Sequence, residues 1–358
     1  MEDIKLVIQS LQYKEEEEQA GEKNISLENT YAYVYDCYDK QDKIFKVFFE
    51  LTYACNLKCE HCYLSTDINS SKTKITLKKA KEVIDQLREL GVVDITFTGG
   101  ELFSHPDALE IIEYACRYNF IISILTNGTL LNRNMIKKLC ELPISNIRIS
   151  MYGMEEFHDN FVGVKGAFKK SLDTLKMLNE YRKGICTANS VITKDSVEDL
   201  LKLNKILKDI GIEHRLTPMI YPTVHGDLAP TKLRISEEEI TQLLKEGIVD
   251  YTGSSCNSGI SRLRISPNGD INPCELFREV SFGNIFEHSI SEIIHSEKRC
   301  RWIHHIREQL KKSECASCDK KQYCPRCLGV AYLENGNFVQ KADGLCVLAE
   351  AKARSLEV

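Results

Sequence analysis

The sequence predicts an α/β protein in which a partial (β/α)6 barrel is followed by a Cys-rich irregular domain. Three observations lead to this fold class. Strand-like apolar runs occur six times between residues 46 and 219, helical segments separate them, and the alternation ends after Ile235. Alternating strands and helices form right-handed βαβ units around a parallel sheet. We therefore expect the loops at the carboxyl ends of the strands to carry the chemistry.

The individual elements follow from local pattern. The six strand-like runs are 46–51, 94–98, 121–126, 146–151, 185–192 and 214–219. The clearest helix lies between the first two runs, where apolar residues from Leu77 to Leu90 recur at helical spacing before Gly91. A later helix begins near Ser236, because Ser-Glu-Glu-Glu is typical of a capping box.

Four segments are predicted along the chain. They are an N-terminal extension at 1–45, the barrel at 46–235, a linker helix at 236–255 and the Cys-rich domain at 256–358. The extension contains an acidic run at 15–18. It also contains the alternating residues Tyr31, Tyr33 and Tyr35, which predict a strand or hairpin arm.

Composition narrows the class of protein. The 358 residues are 43% hydrophobic and 28% charged, as in ordinary globular chains, and their net charge of -5 disfavours a nucleic-acid partner. No run of apolar residues is long enough for a membrane span, and the first residues are acidic where a signal peptide is basic. We expect a cytoplasmic protein without a membrane partner. Its 15 cysteines then predict metal binding, since thiols stay reduced in that compartment.

The first cysteine cluster directly follows the first predicted strand. Cys55, Cys59 and Cys62 stand in Cys-Asn-Leu-Lys-Cys-Glu-His-Cys. Three thiolates on one short loop can hold three irons of a four-iron cluster and leave the fourth iron open for chemistry. The alternative is a zinc knuckle, but zinc prefers four ligands, and the nearby His61 is crowded between the cysteines.

These residues resemble the radical SAM superfamily, whose C-x3-C-x2-C signature they match. Further landmarks of that family recur in order: Thr-Gly-Gly-Glu at 98–101, Thr-Asn-Gly at 126–128, Ser150 and Asn189. The resemblance covers about residues 50 to 219. It implies that S-adenosylmethionine (SAM) binds the open iron and is cleaved reductively to a 5′-deoxyadenosyl radical, which takes hydrogen from a substrate.

The resemblance also implies residue roles in binding SAM. Gly99 and Gly100 lack a Cβ and would let the backbone approach the methionyl group, and the Glu101 carboxylate would pair with its ammonium. Ser150 and Asn189 are candidates for the carboxylate and the ribose. Where family members commonly have Pro after Gly-Gly-Glu, this chain has Leu102.

The C-terminal third contains a second cysteine system, whose members in chain order are Cys256, Cys274, Cys315, Cys318, Cys324, Cys327 and Cys346. Their order resembles the SPASM domain, an appendage of radical SAM enzymes with two auxiliary [4Fe-4S] clusters. The resemblance implies three clusters in all, with two auxiliary ligand sets: Cys315, Cys318, Cys324 and Cys346 for one, and Cys256, Cys274 and Cys327 for the other. Cys324 and Cys327 are separated by two residues where the usual pattern has three. The second set lacks a fourth thiolate, so its iron is open or is bound by Cys300 or a non-Cys group. Two zinc-ribbon halves are the alternative.

The function implied by the resemblance is oxidative maturation of a peptide or protein, with a thioether or carbon-carbon crosslink as product. Alternatives are peptide epimerisation, cofactor biosynthesis and, from another class, a zinc-binding structural or interaction protein. The expected partners are an external one-electron reductant and, unless another part of the chain recognises the leader peptide, a separate leader-recognition protein. Glu275 is a candidate catalytic proton acceptor because it follows Cys274, and an exposed surface carboxylate is the other interpretation.

Basic residues within 298–312, including His304 and His305, form either a contact for an acidic leader peptide or a solvated helix face.

Five cysteines lie outside these motifs, and the sequence assigns them no role in chemistry. Core packing is the expected role of Cys116 and Cys140, which fall in amphipathic helices, while a hydrogen-atom donor is the alternative. The others are Cys37, Cys186 and Cys300.

Overall fold

The computed structural model describes residues 27–251, 253 and 256–357. Its strands form one nine-stranded sheet in the order β6-β5-β4-β3-β2-β1-β7-β8-β9. The strands are β1 (Lys46–Glu50), β2 (Asp94–Thr98), β3 (Ile121–Thr126), β4 (Asn146–Ser150), β5 (Cys186–Val191), β6 (Glu213–Thr217), β7 (Arg262–Ile265), β8 (Asp270–Asn272) and β9 (Gly283–Asn284). Strands β1 to β6 are parallel and adjacent in chain order. The predicted fold class is confirmed, and the six predicted strands agree with β1 to β6 to within two residues at each end.

Helices occupy the connections between the strands. Their bounds are Leu27–Lys40, Thr66–Ser70, Leu77–Glu89, Ala108–Ala115, Arg133–Glu141, Glu155–Val162, Ala167–Tyr181, Val197–Asp209, Glu237–Lys245, Ile290–Ile294, Glu297–Lys312, Leu328–Asn335 and Asp343–Ser355. The helix Leu77–Glu89 buries the apolar face that predicted it, and Ser236 caps Glu237–Lys245 in the expected capping box. None of the helices among the described residues is long and apolar enough to cross a membrane.

The two faces of the sheet differ in chemistry. On one face Val47 and Phe49 of β1 lie beside Ile95 and Phe97 of β2, and all four are fully buried. The opposite face of β1 carries Lys46, Phe48 and Glu50, since side chains alternate along a strand. The apolar face packs against helices and forms the core, which leaves the polar face for binding and catalysis.

The N-terminal extension is helical where it is described, so the predicted strand or hairpin arm is wrong. Tyr31, Tyr35 and Tyr38 share one face of the helix Leu27–Lys40 and surround Phe45 edge-on at centroid distances of 5.1, 4.9 and 5.3 Å. Spacings of three and four residues are helical, whereas the apparent alternation depended on Tyr33, which is 53% exposed. The acidic run at 15–18 lies outside the described residues.

The C-terminal region continues the barrel sheet. Strand β7 pairs in parallel with β1, while β8 and β9 follow as antiparallel neighbours. Four helices lie beyond residue 289, so the region is more regular than the sequence predicted. Because β7 extends the same sheet, the cysteines after residue 256 are fixed relative to the loop that follows β1.

Candidate functional site

The loop after β1 carries the first three cysteines. Its backbone is anchored on both sides: the Cys55 amide donates to the Asn69 carbonyl at 3.2 Å, and the Lys58 amide donates to the Val162 carbonyl at 2.9 Å. The second contact holds the loop against the end of the helix Glu155–Val162. The loop is therefore positioned by long-range contacts before any ligand binds.

The three thiols share a protected environment. Cys55 and Cys59 pack against an apolar cluster that includes Tyr152 and Phe161, and the Asn69 side-chain amide donates to Cys62 Sγ at 3.4 Å. Burial raises the pKa of the Cys55 thiol to about 11. Nearby thiolates repel each other in such a site, so iron is needed to supply the compensating positive charge. These donors fit an iron-sulphur cluster.

His61, between the last two cysteines, packs its ring against neighbouring aromatic side chains. Its ring stacks on Phe161 at a centroid distance of 5.2 Å and lies 4.7 Å from Tyr152. Burial lowers its pKa to about 4, which keeps the imidazole neutral. The stacked ring closes the side of the cysteine loop.

Gly99 and Gly100 lie at the end of β2, directly against the segment that leads into Cys55. A Cβ on Gly100 would stand 2.2 Å from the Tyr53 carbonyl oxygen and 2.7 Å from that of Ala54, and one on Gly99 would stand 2.5 Å from the Thr52 carbonyl oxygen. Close approach of two backbones therefore requires both glycines. Both glycines contact the segment that leads into the cysteine loop, and their expected approach to SAM stays a prediction.

The Glu101 carboxylate is only 2% exposed, and it accepts three hydrogen bonds. The donors are the Phe103 amide at 3.0 Å, the Thr126 hydroxyl at 2.5 Å and the Asn127 amide at 2.7 Å. Burial raises the pKa of Glu101, and these hydrogen bonds oppose that shift. Since Asn127 in turn donates to Asn56 at 2.9 Å, Glu101 connects the β3 loop to the cysteine loop.

Ser150 and Asn189 occupy the same level of the sheet. They are register partners at the carboxyl ends of β4 and β5, and both are half-buried. Tyr152, two residues beyond Ser150, belongs to the apolar cluster against which Cys59 packs. The two residues proposed for SAM binding thus share one edge with the first cysteine loop.

The later cysteines form two groups. Cys315, Cys318, Cys324 and Cys346 surround a cavity of about 60 Å³. Cys256, Cys274 and Cys327 line a separate cavity of about 420 Å³. The two groups match the ligand sets that the resemblance implied, and their thiol donors fit iron-sulphur clusters.

Two features of the larger cavity bear on its missing fourth ligand. Cys300 lies on an exposed surface and lines a different groove, so it does not complete this group. Cys327 immediately precedes the helix Leu328–Asn335, and it lines the cavity together with Cys256 and Cys274. The amino-terminal end of a helix favours a thiolate, which suits a ligand role in spite of the shortened spacing.

Glu275 faces the larger cavity. Its carboxylate accepts a hydrogen bond from Arg262 Nη2 at 2.5 Å, and its side chain is 15% exposed. The surface-carboxylate interpretation is therefore wrong. Arg262 belongs to β7, and its guanidinium lies 4.3 Å from the centroid of the Phe48 ring.

A buried ion-pair network joins β1 to the segment around Cys274. Glu50, 1% exposed, accepts from Arg264 Nη2 at 2.5 Å and from Arg278 Nη2 at 2.7 Å. Burial opposes its charge, but the two guanidinium groups outweigh this and lower the pKa of Glu50 to about 2. Arg278 Nε also donates to the Glu275 carbonyl at 3.0 Å. The network holds the segment around Cys274 against β1, the strand that leads to Cys55.

Several cavity residues were not identified from the sequence. Tyr35, Tyr63 and Tyr221 line the larger cavity together with Arg262. Of these residues, only Tyr63 had a sequence feature that could have indicated its place in the site, because it directly follows Cys62. Tyr35 and Tyr221 come from the N-terminal helix and from the chain after β6, and only the fold brings them together.

Three of the remaining cysteines contribute to packing. Cys186 belongs to the core, while Cys116 and Cys140 pack against it as expected. Within the described ranges no three His, Cys, Asp or Glu side chains are arranged to hold a single metal ion.

A parallel partial barrel with a three-cysteine loop after β1, joined to a second unit with two cysteine groups, defines a class of iron-sulphur enzyme. Comparison with known families agrees with this. The radical SAM superfamily model matches residues 49–207, and the model of the SPASM iron-sulphur cluster-binding domain matches residues 256–327.

Individual relatives support the same assignment. The chain is 32% identical over 267 residues to the antilisterial bacteriocin subtilosin biosynthesis protein AlbA of Bacillus subtilis, a match that spans 69% of this chain and 59% of AlbA. It is 26% identical over 343 residues to the AdoMet-dependent heme synthase of Methanosarcina barkeri, covering 85% and 96% of the two chains. The structure of Streptococcus suis SuiB bound to its precursor peptide SuiA superposes with a TM-score of 0.71 at 18% identity, covering 96% and 88%. This chain belongs to the radical SAM superfamily and carries a SPASM domain.

Proposed function

We propose that this enzyme is a radical SAM peptide maturase that forms a thioether or carbon-carbon crosslink in a peptide substrate. The main support for this proposal is the cavity of about 420 Å³. Its wall is formed by residues of the barrel together with cysteines of the C-terminal unit. Leu125 comes from β3, Tyr63 follows the first cysteine loop, and Cys256 and Glu275 come from the C-terminal unit. A substrate in this cavity contacts both units at once.

Three [4Fe-4S] clusters are proposed, one for each cysteine group. Cys55, Cys59 and Cys62 would hold the cluster to which SAM binds, with Ser150 and Asn189 positioned for its polar groups. When bound, the cluster and SAM together supply the one-electron chemistry that removes a hydrogen atom from the substrate. The residues of the chain itself would position the substrate, exclude water and accept a proton from the substrate.

Glu275 is the proposed proton acceptor. It lines the cavity beside Cys274, and its pairing with Arg262 holds the carboxylate in place. The cluster of Cys256, Cys274 and Cys327 has three protein thiols for four irons, so one position remains for a substrate thiol or another side chain. A substrate thiol held at that position would give up its proton, and Glu275, which lines the same cavity, would accept it.

The aromatic wall supports a peptide substrate. Tyr35, Tyr63 and Tyr221 each offer an apolar ring and one hydroxyl, which suits side chains and backbone amides together. AlbA, named for subtilosin biosynthesis, and SuiB, crystallised with a precursor peptide, are relatives whose names point to peptides. The heme synthase relative supports the alternative of cofactor biosynthesis.

Co-expression with the short peptides encoded beside the gene, followed by mass spectrometry, tests the proposal. Crosslinking removes two hydrogens from the peptide, whereas epimerisation leaves the mass unchanged. If the product is a thioether, a Cys-containing peptide must change the electron paramagnetic resonance signal of the cluster at Cys256, Cys274 and Cys327. The same peptide with Ser in place of Cys must not change it. A signal indifferent to both peptides would favour electron transfer. Zinc without sulphide in the purified protein would instead identify a zinc-binding structural protein.

A further inference from the structure

A second large depression lies outside the proposed active site. This basic groove, about 990 Å³ in volume, runs along the helix Glu297–Lys312. Buried Phe282 and Trp302 contribute to its floor, and its rim carries Lys298, Arg301 and Lys312. His304 and His305 also line the groove.

The charge of the groove is unbalanced. Among the described residues Glu308 is the one carboxylate in its lining, and Lys311, which lies outside the lining, already pairs with it at 2.9 Å. Arg301 is likewise paired with Glu297, outside the lining, so the unbalanced charge is that of the two lysines. Lys298 and Lys312 make no ion pair with any described residue, and both are exposed. The chain as a whole has a net charge of -5, so this groove is a local positive region on an acidic protein. An acidic ligand is repelled by the average surface and attracted here.

The groove is rigidly joined to the proposed active site. Trp302 Nε1 donates to the Ser258 carbonyl at 3.0 Å, and Ser258 lines the cavity of the Cys256 group. Buried Arg299, on the same helix, donates to the Gly259 carbonyl at 3.0 Å and to the Ile260 carbonyl at 2.6 Å. A ligand in the groove is therefore separated from the cavity by little more than the 256–261 segment.

We propose that the basic groove binds an acidic segment of the peptide substrate, outside the region that is modified. The inference rests on the proposed peptide-maturase function and adds the site and charge of substrate capture. A peptide fits better than a nucleic acid, because three permanent cations and a carboxylate make a short mixed surface instead of a continuous basic track. Anchoring one segment here raises the effective concentration of the remainder at the cavity.

Fluorescence anisotropy with the reconstituted holoenzyme tests the proposal. The probe is a labelled twelve-residue peptide of alternating Glu and Leu, and its control is the same peptide with Gln in place of Glu. We expect the acidic probe to bind and its affinity to fall with added salt, because both rim lysines are exposed. The double variant Lys298→Glu/Lys312→Glu should weaken binding by about tenfold. The matched double variant Lys169→Glu/Lys170→Glu has the same charge change on exposed residues of another helix and should leave binding within about twofold.

Three results would overturn the proposal: equal binding of the Gln peptide, equal losses in both double variants, or tighter binding of a single-stranded DNA than of the acidic probe. Turnover separates this inference from the proposed function. If the groove variant crosslinks a native peptide with unchanged KM, the groove is not the capture site and the function stands. If the probe binds as expected but no encoded peptide is modified, the proposed function fails and the groove stands as an acidic-peptide site.

Discussion

Ser150 and Asn189 are register partners at the carboxyl ends of the adjacent parallel strands β4 and β5. They are 39 positions apart in the chain but stand side by side on the edge that carries the first cysteine loop. One ligand can therefore contact both side chains.

Substitutions at this pair should be non-additive for SAM binding. Ser150→Ala and Asn189→Ala each remove one hydrogen bond and should weaken SAM affinity roughly 2- to 10-fold, measured by calorimetry. The double variant should lose less than the sum, because both groups bind one ligand. Ser123→Ala, on β3 nearer the amino ends of the strands, serves as the control and should bind normally. Unaltered SAM affinity in both single variants would remove the pair from the SAM site.

Iron content tests the three proposed cluster sites. Anaerobic reconstitution should give roughly twelve irons and twelve sulphides per chain, four for each cluster. The triple variant Cys55→Ala/Cys59→Ala/Cys62→Ala should keep about eight irons and lose all SAM cleavage. Continued formation of 5′-deoxyadenosine by this variant would refute the catalytic assignment of the loop.

Glu101 should affect stability as well as SAM binding. Glu101→Gln keeps the shape of the side chain but replaces one acceptor oxygen by a donor, which then faces donors from Phe103, Thr126 or Asn127. We expect the free energy of unfolding to fall by about 1–3 kcal/mol, together with weaker SAM binding. A direct ion pair with the SAM ammonium as its only role predicts weaker binding at unchanged stability, so the two measurements together decide its role.

Gly100→Ala should disturb the first cluster through the backbone. The added methyl group would overlap the Tyr53 and Ala54 carbonyls, so the segment before Cys55 has to move. We expect loss of iron from this site with the auxiliary clusters retained, measured by iron analysis and Mössbauer spectroscopy. Gly184→Ala is the control, because its Cβ meets no atom within 4 Å and its only cost is the left-handed φ of 77°, about 1 kcal/mol. Full iron content in the Gly100 variant would show that the loop tolerates the displacement.

The Glu50 network predicts an unequal effect of removing its members. Glu50→Gln leaves Arg264 and Arg278 without their shared anion in a buried site, so unfolding free energy should fall by about 3–5 kcal/mol. Arg278→Met should be milder, since Glu50 and Arg264 remain as a balanced pair. Chemical denaturation of the two variants measures the difference. A larger loss for Arg278→Met would mean that its bond to the Glu275 carbonyl outweighs charge balance.

Local order along the chain was enough to predict several features. Apolar periodicity defined β1 to β6 and the helix Leu77–Glu89, because each element must bury one face whatever it packs against. Cysteine spacing predicted metal binding, since thiols a few residues apart on one loop can bind the same cluster, and the resemblance to a family signature implied iron and sulphide. Where periodicity was ambiguous, as at Tyr31 to Tyr35, the predicted element was wrong, because packing on Phe45 selected the helical spacing.

The contacts between residues that are distant in the chain follow from the three-dimensional fold. Glu50 and Arg264 are separated by 214 positions, and their ion pair exists because β7 aligns beside β1. The same alignment brings Glu275 to Arg262 and carries the Cys256 group to the cavity beside Tyr63. No local pattern encodes these contacts, because they arise from strand register and from the requirement that buried charges find partners. For the same reason the sequence did not predict that Glu101 is hydrogen-bonded to the β3 loop or that Gly100 packs against the segment before Cys55. Their contacts with SAM stay predictions.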